Sequence, residues 1–277
     1  MISFMKSIEL PAAVRSTLCD VLHSSDVQDV LCSEDYSRLL NYDTSEDAVQ
    51  KIRRHLTDDA DGFQILLIEL MACMNNARKG PWCGAWREYL IPTMKCFSRF
   101  VSEYHVSYGR YGFDRWWWVT RQINARLLRI GELEYEPDPS CREIHIHIPS
   151  DSILIKEKLK QSLEKARKIF AKELSEGSSG EGPWAFTCES WLLSPALTQL
   201  LPEDSRILQF QKYFSLQRVI PDADDYLEWV FKIAGGQKSS ARPEELREDT
   251  SLQRNMKRFI LSGGKVGVGI GTLSEHS

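Results

Sequence analysis

Residues 113–149 read FDRWWWVTRQINARLLRIGELEYEPDPSCREIHIHIP. The last third decides the reading. Ile144, Ile146 and Ile148 alternate with His145 and His147, so the isoleucines share one face of a strand and the imidazoles the other. Upstream, Leu127–Glu136 reads as a second strand, with Gly131 marking a bulge. Asp138-Pro139-Ser140 turns the chain between them, which predicts an antiparallel hairpin. Glu132, Glu134 and Glu136 also alternate. If they lie on the histidine side, the hairpin gathers two imidazoles and up to three carboxylates on one face. That pattern fits a site, and it also fits the wet face of a half-buried sheet. Phe113–Arg126, with Trp116–Trp118, reads as a helix leading into the hairpin.

Working outward, residues 1–109 read as helices. Leu10, Val14, Leu18 and Leu22 recur at helical spacing, and Ser25-Asp26-Val27-Gln28 fits a capping box. A helix is expected from about Thr44. Phe63–Ala77 is apolar nearly all round and calls for burial on most sides. Tyr108-Gly109-Arg110-Tyr111-Gly112 is the expected joint, dividing the chain into 1–109 and 110–277. After the hairpin come the loop Pro149–Ile155, a basic amphipathic helix Lys156–Leu174, and a Gly/Ser-rich surface loop Ser175–Pro183. A strand over Trp184–Leu193, a helix from Ser194-Pro195 and a strand pair over 216–220 and 226–233 follow. Thr250-Ser251-Leu252-Gln253 is a second capping box opening a helix, and Gly263–Gly271 is a glycine-rich tail. The expected fold is α+β, a helical N-terminal domain packed on a mixed α/β domain with a central, mostly antiparallel sheet.

Composition narrows the function. The chain is 277 residues, 42% hydrophobic and 27% charged, with a net charge of −4. That balance argues against nucleic acid or a membrane surface as partner. No window reaches the length of apolar sequence a membrane span needs. Seven cysteines without CxxC pairing read as thiols in a reducing cytoplasm. No signal for a particular oligomeric state is present.

Among candidate residues, His145 and His147 are general bases that titrate near neutral pH. Glu134 and Glu136 would orient an imidazole or hold a cationic amine. H-x-H also suits zinc, but no third ligand is identified, so no metal is expected. Cys188 lacks a nearby histidine in sequence to activate it and reads better as buried than as a nucleophile. Ser190, two residues on, is a possible proton donor.

Arg129-Ile130-Gly131-Glu132-Leu133-Glu134-Tyr135-Glu136, Ile144-His145-Ile146-His147-Ile148-Pro149, Cys188-Glu189-Ser190-Trp191-Leu192-Leu193-Ser194-Pro195 and Thr250-Ser251-Leu252-Gln253-Arg254 together resemble acyltransferases of the GNAT superfamily. In these a GNAT-like C-terminal domain follows a helical N-terminal domain, and the resemblance covers nearly the whole chain. It implies transfer of an acyl group from acetyl- or acyl-coenzyme A to an amine of a small molecule or peptide. His147 with Glu134 or Glu136 would activate the acceptor, and Cys188 or Ser190 would protonate the leaving thiolate. It further implies that Ile148, Pro149, Ser150, Ser152 and Lys156 line the cofactor site, with Arg254 available to an anion. The sequence departs from the family pattern at one point. The loop Pro149–Ile155 has no glycine where a Q/R-x-x-G-x-G/A motif would cradle a pyrophosphate. An alternative follows from that departure: a GNAT-like module without catalysis that binds a ligand or a protein.

Overall fold

The computed structural model describes residues 1–175 and 183–274; most of the expected loop Ser175–Pro183, residues 176–182, lies outside them. The chain divides into two compact units, Met1–Arg129 and Ile130–Ser277. The fold is α+β, with helices in the first unit and a mixed six-stranded sheet with helices in the second.

The first unit holds α1 (Ile2–Ser7), α2 (Ala12–Val21), α3 (Ser25–Leu31), α4 (Glu34–Leu39), α5 (Tyr42–His55), α6 (Phe63–Lys79), α7 (Leu90–Met94), α8 (Cys96–Tyr108) and α9 (Thr120–Ile123). Its centre is α6, where Ile65, Leu66, Leu67, Ile68 and Leu70 are all fully buried. The α6 N-terminus is satisfied from a distance. Both oxygens of Asp59 accept backbone N–H groups, of Gln64 at 2.9 Å and of Ile65 at 3.0 Å, which places an anion against the positive end of the helix. Two sequence expectations shift here. The α3 cap is Ser24, one residue before the expected serine, its hydroxyl accepting the Val27 N–H. The expected helix Phe113–Arg126 shrinks to α9: residues 113–119 are loop and turn structure ahead of it, and Ala125, at a φ of 54°, follows its C-terminal end.

The second unit runs β1 (Leu128–Ile130), β2 (Leu133–Asp138), β3 (Glu143–His147), α10 (Lys156–Ile169), α11 (Ala171–Ser175), β4 (Ala185–Ser190), α12 (Arg206–Gln211), β5 (Phe214–Ile220), α13 (Asp225–Phe231), α14 (Ser251–Leu261) and β6 (Val268–Leu273). β1 crosses the boundary, with Leu128 and Arg129 in the first unit and Ile130 in the second. The strand order is β1-β2-β3-β4-β6-β5. β2 and β3 form the expected antiparallel hairpin, with Glu134 opposite His147 and Glu136 opposite His145. Its apolar face, Leu133, Tyr135, Ile144 and Ile146, is buried, as are Leu159, Leu163 and Ala166 of α10. Tyr135, Phe170 and Phe186 form a mutual ring cluster with centroids 5.8–6.4 Å apart. The Tyr135 hydroxyl reaches Ser162 Oγ at 3.0 Å, so α10 is tied to the hairpin by a hydrogen bond as well as by packing.

Three expectations are corrected in this unit. Gly131 does not bulge one long strand; at a φ of 65° it turns the chain between β1 and β2. Residues 226–233 are not a strand but mostly helix α13, whose Leu227, Val230 and Phe231 recur at i, i+3, i+4 and enter one core with Leu208, Leu246 and Met256. The glycine-rich tail is an internal strand: β6 lies between β4 and β5, antiparallel to both. Its glycines permit close approach. A Cβ at Gly269 would stand 2.4 Å from the Leu193 carbonyl oxygen, and one at Gly267, where φ is 65°, would stand 2.5 Å from that of Ile220. The Thr250 capping box and the helix behind it form as expected.

Two consequences are measurable. Gly269→Ala has no flexible neighbour to push aside and is expected to cost roughly 1–3 kcal/mol in chemical denaturation, as overpacking does; an unchanged midpoint would contradict the close approach. Glu69, in the middle of α6, is fully buried, and neither carboxylate oxygen has a hydrogen-bond partner among the described residues. Burial pushes its carboxyl well above the usual carboxylate range. With a folded pKa above the unfolded one, its favourable protonated state is complete below the unfolded value of 4.5, and stability is lost as pH rises beyond it. Glu69→Leu should therefore gain about 1–3 kcal/mol at neutral pH and flatten the fall in stability from mildly acidic to neutral pH. Parallel pH profiles for the two proteins would rule this out.

Candidate active site

The site begins with a sheet that opens. β3 and β4 run parallel and pair over three positions, Glu143↔Ala185, Ile144↔Phe186 and His145↔Thr187. Beyond these the strands keep different company. β3 continues against β2 as far as His147↔Glu134, while β4 continues against β6 through Cys188↔Gly271, Glu189↔Ile270 and Ser190↔Gly269. From Ile146 and Cys188 onward β3 and β4 are therefore not paired with each other, and the two strands part.

On the polar side of the sheet His147 stands at this opening. Its Nε2 lies 2.9 Å from Glu136 Oε2, across the diagonal of the hairpin. The imidazole is about one-quarter exposed and the carboxylate mostly covered. If Nε2–H is donated to Glu136, the lone pair is on Nδ1. Glu134, directly opposite His147, is buried.

His145 has different neighbours. Its Nδ1 is 3.0 Å from Thr187 Oγ1, and that hydroxyl donates to Glu143 Oε2 at 2.8 Å. Its Nε2 points to Cys141 Sγ at 3.9 Å and Asp138 Oδ2 at 3.6 Å. The N–H and hydroxyl of Ser140 both donate to Asp138 Oδ1 and hold its carboxyl down at about 2. The structure thus brings His145, His147, Glu134 and Glu136 to one face but separates the two imidazoles into different clusters.

The other sequence candidates fall in three places. Cys188 is on the apolar face, 1% exposed, and burial pushes its thiol well up, so it stays protonated and inert. Ser190 closes β4 at the opening; its hydroxyl oxygen accepts the Leu192 N–H at 3.1 Å, which leaves its own proton to donate elsewhere. Ile148 and Pro149 continue β3, and Ser150 and Lys156 are exposed beyond them. The loop between is tied by Glu132, whose carboxylate accepts the Ile153 N–H at 2.7 Å and lies 3.5 Å from Lys158 Nζ, while Ser152 donates to the Glu132 carbonyl at 2.5 Å. The start of α10 has no side-chain cap. Arg254 is elsewhere: its guanidinium donates to the carbonyls of Glu248 and Asp249 at the start of α14. Thr187, Glu143, Cys141 and Asp138 were missed as candidates. The short D-x2-C-x3-H spacing was the available signal for Asp138 and Cys141; nothing local marked Thr187.

Residues 106–273, more than half of the chain, match the family model of the GNAT-like C-terminal domain. The chain belongs to that family. Residues 1–125 match the N-acyltransferase N-terminal domain. By these two domains it is an N-acyltransferase. A solved acyltransferase in complex with decanoyl-CoA and teicoplanin shares the fold at a TM-score of 0.75 and 21% identity, over 98% of this chain and 87% of that one. An acyltransferase in complex with decanoyl-CoA gives 0.70 at 23%, over 98% and 86%. One in complex with CoA and 10C-teicoplanin gives 0.64 at 20%, over 98% and 99%. No curated protein matches. No helix of the described residues is long and apolar enough to cross a membrane.

The burial of Cys188 and Cys73 predicts that alkylation of the native protein, followed by mass spectrometry, labels exposed Cys32, Cys83 and Cys141 and spares those two. Rapid native labelling of Cys188 would reopen a covalent acyl-cysteine route.

Proposed function

We propose that this GNAT-like enzyme transfers an acyl group from an acyl-coenzyme A to an amine of a small molecule or peptide, with the thioester lying in the gap between β3 and β4. The observation that carries this reading is the parting of the two parallel strands with His147 and Glu136 at the opening. An extended chain bearing amides can pair with the exposed strand edges as an added strand would. Pantetheine is such a chain, which assigns the backbone of Ile146–Ile148 to holding the donor.

The residues then divide the proton traffic. His147 takes a proton from the attacking ammonium or amine, directly or through one water, and Glu136 stabilises the imidazolium that results. The amine nitrogen forms its bond to the thioester carbon, the carbon–sulfur bond breaks, and the departing thiolate takes a proton from solvent, since Ser190 shares the Cys188 face of β4 and not that of His147. The pyrophosphate end depends on Lys156, Ser150 and the uncapped start of α10 rather than on glycines, because Glu132 occupies the Ile153 N–H. This constraint is also what favours the second reading, a ligand-binding module without catalysis. The octanoyl- and decanoyl-CoA bound by the solved acyltransferases, and the teicoplanin bound with two of them, make medium-chain donors and glycopeptide-like amines the first compounds to try. The absence of disulfides among the described residues fits work in a reducing cytoplasm.

Coenzyme A and octanoyl-CoA are expected to raise the melting temperature, as any ligand of the folded state must. His147→Ala should keep that shift and the fold while lowering kcat by roughly 10²–10⁴-fold, with Glu136→Gln intermediate. Full turnover in His147→Ala would remove it as the base. No thermal shift with either compound at millimolar concentration would favour the non-catalytic module.

A further inference from the structure

At the tip of the β2–β3 hairpin, Asp138, Cys141 and His145 direct one oxygen, one sulfur and one nitrogen to a common point, all within 4.8 Å of one another. We propose that these three side chains bind a divalent cation of the zinc type through Asp138 Oδ2, Cys141 Sγ and His145 Nε2, with a fourth position left to water. The inference is independent of the acyl-transfer reading.

The hydrogen bonds around the cluster support it. A threonine hydroxyl has one proton, and that of Thr187 goes to Glu143 Oε2 at 2.8 Å. Its oxygen can then only accept from His145, 3.0 Å away, so the imidazole proton sits on Nδ1. The Nε2 lone pair is thereby aimed at Asp138 Oδ2 and Cys141 Sγ. A lone pair facing a carboxylate oxygen is unfavourable unless a cation lies between them. At 3.6 Å the nitrogen and oxygen are too far apart to share a proton well. Ligands at zinc distances sit roughly 3.3–3.8 Å from one another in a tetrahedron, so the observed 3.6 and 3.9 Å are close to the edges of one.

The surroundings also fit. A metal-bound histidine commonly donates its other N–H to a carboxylate or its relay, which fixes the tautomer and the ring plane; Thr187 and Glu143 occupy that position. Ser140 takes Asp138 Oδ1 and turns Oδ2 toward the ring. The three ligands span eight residues, so little chain entropy is lost in gathering them. A mixed sulfur, nitrogen and oxygen set suits zinc better than magnesium or calcium. On binding, the Cys141 thiol releases its proton to solvent and coordinates as thiolate. The ion would close the turn onto β3 and hold the tip of the hairpin that carries Glu136 and His147.

The test uses the full chain, stripped with chelator and titrated separately with Zn²⁺ and Co²⁺. The proposal expects saturable binding of a single Co²⁺ per chain, with a sulfur-to-cobalt charge-transfer band and tetrahedral visible bands that Zn²⁺ displaces, and a higher melting temperature with Zn²⁺. Cys141→Ser and His145→Gln should each abolish the charge-transfer band or weaken binding at least tenfold, with Asp138→Asn weaker but folded. Cys32→Ser and Cys83→Ser, at the other exposed thiols, should leave binding unchanged. Absence of saturable binding at a small molar excess of metal overturns the proposal. So does binding that survives both Cys141→Ser and His145→Gln, or that is lost only in Cys32→Ser or Cys83→Ser. Circular dichroism of each variant separates lost ligation from lost fold.

Discussion

Two parallel strands that pair at only three positions set the character of the second unit. Nothing local to β3 or β4 forces them apart; each has another neighbour to satisfy. β2 holds β3 through His147, and β6 holds β4 through Ser190. Gly269, against the Leu193 carbonyl, lets β6 lie close under the turn that follows β4. The result is a divergence of two strands inside a sheet rather than at its rim. The His147 imidazole and the Glu136 carboxylate stand beside it.

The two histidines show how environment separates identical groups. His145 and His147 are two residues apart on one strand face, yet a carboxylate engages Nε2 of His147, whereas a hydroxyl engages Nδ1 of His145. These bonds engage opposite nitrogens of the two rings. The Nε2 of His145 is thereby turned toward a sulfur and an oxygen at the hairpin tip. Cys188, on the reverse face of the same sheet, is shielded from all of this chemistry by the Tyr135–Phe170–Phe186 packing side.

Local periodicity carried much of this in the sequence. Alternation placed Glu134, Glu136, His145 and His147 together, the Asp138-Pro139 turn gave the hairpin, and Thr250 with Gln253 marked the start of α14. What stayed illegible was non-local. No pattern within Gly263–Gly271 says that it becomes a strand between two others, because its glycines respond to Leu193 and Ile220, far away in the chain. Residues 226–233 fit a strand by composition, but Leu227, Val230 and Phe231 follow the helical period, and the core they enter decides the matter. Trp116–Trp118 lie in a turn ahead of α9, not in the long helix expected there. Cys141 drew no notice because Asp138 and His145 flank it on both sides instead of forming a paired motif.

The placement of β6 also orders events in time. β5 meets the sheet only through β6, and β6 follows every other strand in sequence. While the chain is being synthesised, β2, β3 and β4 can assemble on α10, but β5 must wait with its backbone groups solvated until residues 268–273 emerge. The nascent protein therefore carries one four-stranded sheet and a waiting β5 segment, and the late strand joins them through long loop closures, which are slow.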